Sequence, residues 1–78
     1  MMAKHMIDGF DRRLRDTILG SGKSLTRIAK DMDIDRRLIM RWTNAGTYPT
    51  IGLLMELCKY FSVSADWLLG LSDRRERR

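Results

Sequence analysis

Apolar side chains recur at helical spacing along most of this chain. From Ile7 onward, Phe10, Leu14 and Ile18 follow one another every four residues, which places them on one face of a first helix. Residues 20–22 end this pattern, because they contain two glycines and glycine adopts the left-handed conformation that closes many helices. No segment alternates apolar and polar residues over four or more positions, so the sequence predicts no β-strand.

Capping residues divide the rest of the chain into four further short helices. Each of these helices follows a side chain able to accept a hydrogen bond from the first helical amides, namely Ser24, Asp35, Thr50 and Ser64. The apolar faces behind these caps are Ile28, Ala29 and Met32; Ile39 and Trp42; Leu53, Leu54, Leu57, Cys58 and Phe61; and Trp67, Leu68 and Leu69. The pattern therefore predicts an all-α fold of five short helices, with Trp42 in the core.

The chain is long enough for one small domain only, since it has 78 residues. Residues 7–71 carry the helical pattern, and we expect them to form this domain. Residues 72–78 form a basic tail with four arginines, which we expect to be solvated, with contact to DNA or an acidic partner as the alternative. Residues 1–6 show no periodicity, and we expect either a disordered segment or a remnant of cloning in which Met6 is the natural start.

Composition excludes several classes of protein. The single cysteine, Cys58, rules out an internal disulfide, and with only His5 to help it there is no structural zinc site. No run of about 18 apolar residues is present, and Lys4 and Asp8 interrupt the first apolar stretch, so neither a membrane span nor a signal peptide is expected. We expect a cytoplasmic protein without a cofactor. The chain also lacks the residue sets of common active sites, so we do not expect an enzyme.

The balance of charges points to an anionic partner. Fifteen lysines and arginines against ten acidic residues give a formal net charge of +5 and an isoelectric point near 10.0. Basic domains of this size most often meet nucleic acid or an anionic membrane. The basic residues are spread over several core-forming helices rather than along one amphipathic stripe, so a membrane surface is not the expected partner.

The predicted third helix concentrates positive charge on its outer face. Arg36 and Arg37 lie in its first turn, and Arg41 follows Arg37 by four residues, so three guanidinium groups share one surface. Like charges at this spacing repel by roughly a few tenths of a kcal/mol, and positive charge at a helix N-terminus opposes the helix dipole. Asp33 and Asp35 offset only part of this cost. A polyanionic partner explains the cluster better than a merely solvated face does.

Residues 24–46 hold two helices of about eight residues each, joined by a turn too short for an ordinary antiparallel hairpin. We expect such a pair to cross steeply, with the small side chain of Ala29 at the crossing and Ile34 closing the turn. Ala29, Ile34, Ile39 and Trp42 together make this segment resemble the helix-turn-helix of the lambda-type repressor and Cro family, also called the Xre family. The later stretch from Pro49 to Gly70 resembles the fourth and fifth helices of that family.

The resemblance implies a compact five-helix, lambda-repressor-like DNA-binding domain in which helices 2 and 3 form the helix-turn-helix. It places helix 3 in the major groove of an operator as the recognition helix 36–42 of a small phage or bacterial transcriptional regulator acting at the nucleoid. The implied base-contacting residues are Arg36, Arg37, Met40 and Arg41, and the implied phosphate-contacting residues are Lys23, Ser24, Thr26, Arg27, Asn44 and Thr47. The family also implies a two-fold homodimer, at least on DNA, for which Trp67 and Leu71 are the candidate contacts.

The chain departs from the family pattern at three positions. Asp33 stands where the family usually has glycine in the turn, so we expect a positive φ there at a cost of about 1 kcal/mol. Leu25 stands where the family often has a glutamine that touches DNA, and Thr43 where it has a glutamate. An antitoxin or another protein-interaction module of the same fold, with a protein partner, is the alternative function.

Overall fold

A computed structural model describes residues 7–44 and 46–76 of the chain. Within these ranges the protein has five helices and no strand, so the predicted all-α class is confirmed. The helices are α1 (Phe10–Ser21), α2 (Leu25–Met32), α3 (Arg36–Thr43), α4 (Ile51–Phe61) and α5 (Ala65–Leu68). None of these helices is long and apolar enough to cross a membrane. The expectations for residues 1–6 and for the last two residues of the tail lie outside the described ranges.

The predicted caps begin four of the five helices. The side-chain oxygens of Ser24, Asp35, Thr50 and Ser64 accept hydrogen bonds from the amides of Arg27, Arg37, Leu53 and Trp67, respectively. Each bond satisfies an amide that the helix itself leaves without a partner. The helix starts were therefore readable from local sequence alone.

The turn between α2 and α3 contains only residues 33–35. Asp33 has a φ of 56°, as the family resemblance implied, and its amide donates to the carbonyl of Lys30 at the end of α2. The amide of Ile34 donates to the carbonyl of Ala29 at 3.0 Å. Because these hydrogen bonds fix the backbone of the short turn, the end of α2 sets the position and direction of the first turn of α3.

Side chains from all five helices meet in one core. The largest fully buried side chains are Phe10, Leu14, Ile28, Ile39, Trp42, Leu57 and Leu68. Helix α1 packs on α3 and α5, α2 packs on α3, and α4 packs on α5. Trp42 is 2% exposed and Cys58 is 7% exposed, so both are core residues, as predicted. The pattern missed two buried threonines, Thr17 and Thr43. Their burial leaves no hydroxyl without a partner, because they donate to the carbonyls of Arg13 and Met40, respectively.

Two arginines of α1 hold parts of the fold together. Nη1 of Arg13 donates to the carbonyls of Asp8 at 3.0 Å and of Leu68 at 3.2 Å, which ties the start of α1 to the end of α5. Gly9 and Gly70 flank this guanidinium, both with positive φ. A Cβ atom on Gly70 would come within 3.0 Å of Nη2 of Arg13. The positive φ favours glycine there, and a side chain at this position would also displace the Arg13 guanidinium.

Arg15 plays a similar part at the end of α3. Its Nη1 donates to the carbonyl of Thr43 and lies 3.5 Å from a carboxylate oxygen of Asp11. The last carbonyls of a helix lack partners within the helix and carry partial negative charge, so a guanidinium there stabilises the end of α3. The orientation of α3 is therefore held at its N-terminus by the turn from α2 and at its C-terminus by α1.

The first part of the basic tail returns to the domain. The amide of Ser64 donates to the carbonyl of Arg75 at 2.7 Å, and Val63 forms an isolated antiparallel bridge with Glu76. The guanidinium carbon of Arg75 lies 5.3 Å from the centre of the Trp67 ring, a cation–π contact. The side chains of residues 73–76 are exposed, but the backbone of Arg75 and Glu76 pairs with the segment between α4 and α5. The charge pattern describes side chains only, so it did not reveal this backbone pairing.

Candidate nucleic-acid interface

The outer face of α3 is a continuous exposed stripe. Ile39, Trp42 and Thr43 are buried and Leu38 is half-buried, which fixes the rotation of the helix about its axis. With 3.6 residues per turn, the opposite side must carry the remaining positions. These positions are Arg36, Arg37, Met40 and Arg41, and all four are exposed. We call them the α3 face.

Arg37 is held by the residue that caps its own helix. Its Nη2 lies 2.9 Å from Oδ2 of Asp35, and its Nε lies 3.3 Å from Oδ1. Oδ1 also accepts the backbone amide of Arg37 at 2.9 Å. The side-chain bonds from Arg37, followed by the backbone bond, lower the pKa of Asp35 to about 2, and the same pair raises the pKa of Arg37. Arg37 nevertheless remains 80% exposed, so the pair leaves most of its guanidinium open to a partner.

The other members of the α3 face are held less tightly. Nη1 of Arg36 donates to the hydroxyl of Thr26 on α2 at 3.2 Å. Within the described ranges, no hydrogen bond or ion pair holds the guanidinium of Arg41. Met40 is 41% exposed and, with Arg37, Arg41, Asn44 and Gly46, lines a shallow depression of about 340 Å³. This face therefore combines positive charge with one apolar side chain in reach of the same partner.

A second basic group begins α2. Nε of Arg27 lies 3.1 Å from both carboxylate oxygens of Asp31, which also accepts a hydrogen bond from the hydroxyl of Tyr60 on α4. Nζ of Lys23 donates to the same hydroxyl at 3.2 Å and lies 4.5 Å from the centre of the Tyr60 ring. The bond from Tyr60 is the main cause that lowers the pKa of Asp31, with Arg27 contributing and burial opposing.

Asp31 and Tyr60 were missed by the sequence reasoning. The spacing of Arg27 and Asp31, four residues apart on one helix, was a readable signal for an ion pair. The contact of Tyr60 was not readable, because it lies 29 residues from Asp31 along the chain and depends on how α4 packs. Lys23 and Arg27 therefore lie together at the N-terminus of α2, where Tyr60 holds Lys23 and Asp31 holds Arg27.

The structure places all of the predicted DNA-contacting side chains at the surface. Lys23, Ser24, Thr26, Arg27, Asn44 and Thr47 are exposed, as is the whole α3 face. The oxygen of Ser24 accepts from the amide of Arg27, which leaves the hydroxyl hydrogen free to donate. Thr26 and Arg36 are in direct contact, so the start of α2 and the start of α3 form one surface.

The residues predicted for a dimer contact differ from each other in exposure. Leu71 is 75% exposed, whereas Trp67 is half-buried and lies beneath Arg75.

Two exposed apolar residues of α4, Ile51 and Met55, were not predicted as contact residues, although they are 87% and 50% exposed. They line a groove of about 410 Å³ with Leu54, Cys58, Lys59, Val63 and Ala65. The sequence did contain a signal for this exposed apolar surface. Helix α4 has apolar residues on nearly all of its faces, whereas packing against the core needs them on one face only.

Comparisons of the chain with models of known families, with curated proteins and with solved structures find no match. The functional interpretation therefore depends on the residues and their geometry.

Proposed function

We propose that this protein binds double-stranded DNA sequence-specifically as a small transcriptional regulator. In this proposal α2 and α3 form a helix-turn-helix, and the α3 face enters the major groove, whose width admits an α-helix. The single observation that carries the proposal is the division of α3 into a buried side, Ile39 and Trp42, and an exposed side with three arginines. A helix anchored in this way presents its charged side rigidly, as base readout requires.

The chemistry of the α3 face suits base edges. Arginine donates two parallel hydrogen bonds to O6 and N7 of guanine, and each such pair discriminates against a wrong base by about 1–3 kcal/mol. Arg37 and Arg41 lie one turn apart, so they reach successive positions along the groove. Met40 lies between them and offers an apolar contact to a thymine methyl group. We therefore expect a half-site that contains guanines.

Phosphate contacts would surround the recognition helix. The start of α2 offers the side chains of Lys23, Ser24, Thr26 and Arg27 together with free amides at a helix N-terminus, which favour anions. Asn44 and Thr47 follow the last turn of α3, at the end of the helix opposite to that start. Contacts at both ends would fix the depth and direction of α3 in the groove without reading sequence.

One copy of α3 covers only a few base pairs, so we propose that two copies bind a two-fold symmetric operator. Such half-sites lie about 34 Å apart, which is one turn of the duplex. The exposed side chain of Leu71, next to Trp67, supports a contact between copies near α5.

The experiment that tests this proposal is selection of bound duplexes from a random-sequence DNA pool at physiological salt. Enrichment of a symmetric site with guanines would support it. Binding only at low salt, without an enriched sequence, would contradict base readout and leave the arginines as phosphate clamps. No binding at all would contradict the proposal and favour the protein-interaction alternative.

A further inference from the structure

The contact between Arg37 and Asp35 uses one particular edge of the guanidinium. An arginine side chain has five N–H donors in a planar fork. Asp35 takes the side edge, since its two oxygens meet Nε at 3.3 Å and Nη2 at 2.9 Å. The end edge, which consists of Nη1 and the second hydrogen of Nη2, has no partner among the described residues. These remaining donors are parallel and match the spacing of two neighbouring acceptors.

We propose that Asp35 is a positioning residue for sequence readout, holding Arg37 side-on so that the end of its guanidinium meets O6 and N7 of a guanine. The inference depends on the proposed function, because it names the residue that makes one contact of that function selective. It assigns Asp35 a second role beside capping α3.

Asp35 is suited to this role because it is itself anchored. Its Oδ1 accepts the backbone amide of Arg37, so the carboxylate is fixed to the first turn of α3 before the side chain of Arg37 is considered. A free exposed arginine samples many rotamers, and ordering it on DNA costs conformational entropy. In the structure, two contacts with Asp35 orient Arg37 while its end edge stays open to solvent. A base contact made by Arg37 therefore needs less ordering than one made by Arg41, which no described residue holds.

The pair between Arg27 and Asp31 makes a useful contrast. There, a single nitrogen, Nε of Arg27, lies 3.1 Å from both oxygens, and Asp31 also binds Tyr60. That arrangement links α2 to α4 but does not clamp two nitrogens of one guanidinium. Each acid also repels phosphates, so removing either should strengthen non-specific binding. Only the removal of Asp35 should weaken selectivity.

The test uses Asp35→Asn, with Asp31→Asn as the matched control. Asparagine caps a helix about as well as aspartate, so α3 should still begin at Arg36. Its amide, however, offers one acceptor oxygen instead of two and turns a donor group towards the guanidinium. Asp31→Asn changes the net charge by the same amount, in the same part of the domain. Asp35→Ser, which also caps, is used if Asp35→Asn does not unfold in a single cooperative transition.

The first step is to select the site that the wild-type protein binds. The second step is to find the base pair of this site at which the Arg37→Ala variant no longer shows a preference. Affinities are then measured at one salt concentration for this site, for the same site with that base pair changed, and for the site with 7-deazaguanine there. The analogue lacks N7 and so removes one of the two acceptors. The ratio of affinities between the first duplex and each of the others gives the discrimination at the position read by Arg37.

We expect the wild-type protein and Asp31→Asn to discriminate about tenfold or more at this position. Asp35→Asn should lose most of this discrimination while binding unrelated duplexes at least as tightly as the wild type. Full discrimination by Asp35→Asn would overturn the positioning role while leaving the proposed function intact. A wild-type protein that selects no sequence would overturn both. Equal losses in Asp35→Asn and Asp31→Asn would also overturn the inference, because they would show an effect of net charge alone.

Discussion

Arginines of α1 and arginines of α3 are the same residue type in two different settings. Arg13 and Arg15 donate to backbone carbonyls of other segments, at Leu68 and Thr43. Arg37 and Arg41 lie on the outer side of their helix, and the contact that Arg37 makes is to an exposed carboxylate two residues away. The first pair joins elements of the fold. The second pair leaves donors free for another molecule.

The difference shows why a net charge of +5 is a poor guide to function. A positive side chain that donates to carbonyls of other segments, as Arg13 does, contributes to stability and little to recognition. A positive side chain whose donors remain exposed contributes little to stability, because surface ion pairs are weak. The partners of each guanidinium, rather than its charge, separate the two groups. Substitutions in each group should therefore move different measured quantities.

The largest expected effect is on DNA affinity when two arginines of the α3 face are removed together. Arg37→Ala combined with Arg41→Ala should lower affinity for the selected site by about 100-fold or more, since each lost guanine contact is worth about 1–3 kcal/mol. The free energy of unfolding should fall only slightly, because both side chains are exposed and the surface pair of Arg37 with Asp35 is weak. Equilibrium binding and chemical unfolding measure the two quantities. A double variant that binds the selected site as the wild type does would remove the distinction between the two groups.

The next largest effect concerns the fold. Arg13→Ala removes the charged donor from the carbonyls of Asp8 and Leu68, and we expect the free energy of unfolding to fall by about 1–3 kcal/mol. The sequence preference on DNA should stay as it is in the wild type. Urea unfolding and selection from a DNA pool measure these outcomes. Arg12→Ala, which removes an exposed arginine from the same helix, is the control and should change neither.

A smaller effect is expected at the start of α2. Arg27→Ala should weaken binding to all duplexes by about the same factor and reduce the slope of log affinity against log salt by roughly one, because one phosphate contact is lost. Titrations of the selected duplex and of a shuffled duplex at several salt concentrations would measure this. A loss confined to the selected duplex would instead place Arg27 among the base-reading residues.

The smallest effect is a dependence of stability on pH. The pKa of Asp35 is about 2 in the folded chain against an ordinary value of 3.8, so its pair with Arg37 stabilises the fold above about pH 4 and is lost as the pH falls towards 2. The difference in unfolding midpoint between the wild type and Asp35→Asn should therefore narrow between pH 5 and pH 2. The difference between the wild type and Arg13→Ala should persist, because the backbone carbonyls that Arg13 binds do not titrate. A difference in unfolding midpoint between the wild type and Asp35→Asn that stays constant from pH 5 to pH 2 would contradict the lowered pKa of Asp35.

Much of the fold was readable from the sequence because it depends on local rules. The four caps and the burial of Trp42 follow from residues close together in the chain, whereas the positive φ of Asp33 was implied by the family resemblance. The exposure of the α3 face follows from helical periodicity once Ile39 and Trp42 are assigned to the core. These features need no knowledge of how the helices pack.

Contacts between distant segments were not readable. Arg13 meets Leu68 across 55 residues, and Tyr60 meets Asp31 across 29 residues. The hydrogen bond between the amide of Ser64 and the carbonyl of Arg75 joins two backbone groups, so the pattern of side chains does not predict it. Asp35 and Arg37 are only two positions apart in the chain, but the geometry of their contact depends on rotamers that the sequence does not specify. The identity of the candidate site was therefore predictable, while the arrangement of its donors required the structure.

The most direct test of DNA readout by the α3 face is to repeat the selection from random DNA with Arg37→Ala and with Arg12→Ala. The account predicts that Arg12→Ala selects the wild-type site unchanged. Arg37→Ala should select a site that has lost its preference for guanine at one position of each half and kept the rest. An unchanged site for Arg37→Ala, or the same change in both variants, would contradict the claim that this face reads the sequence.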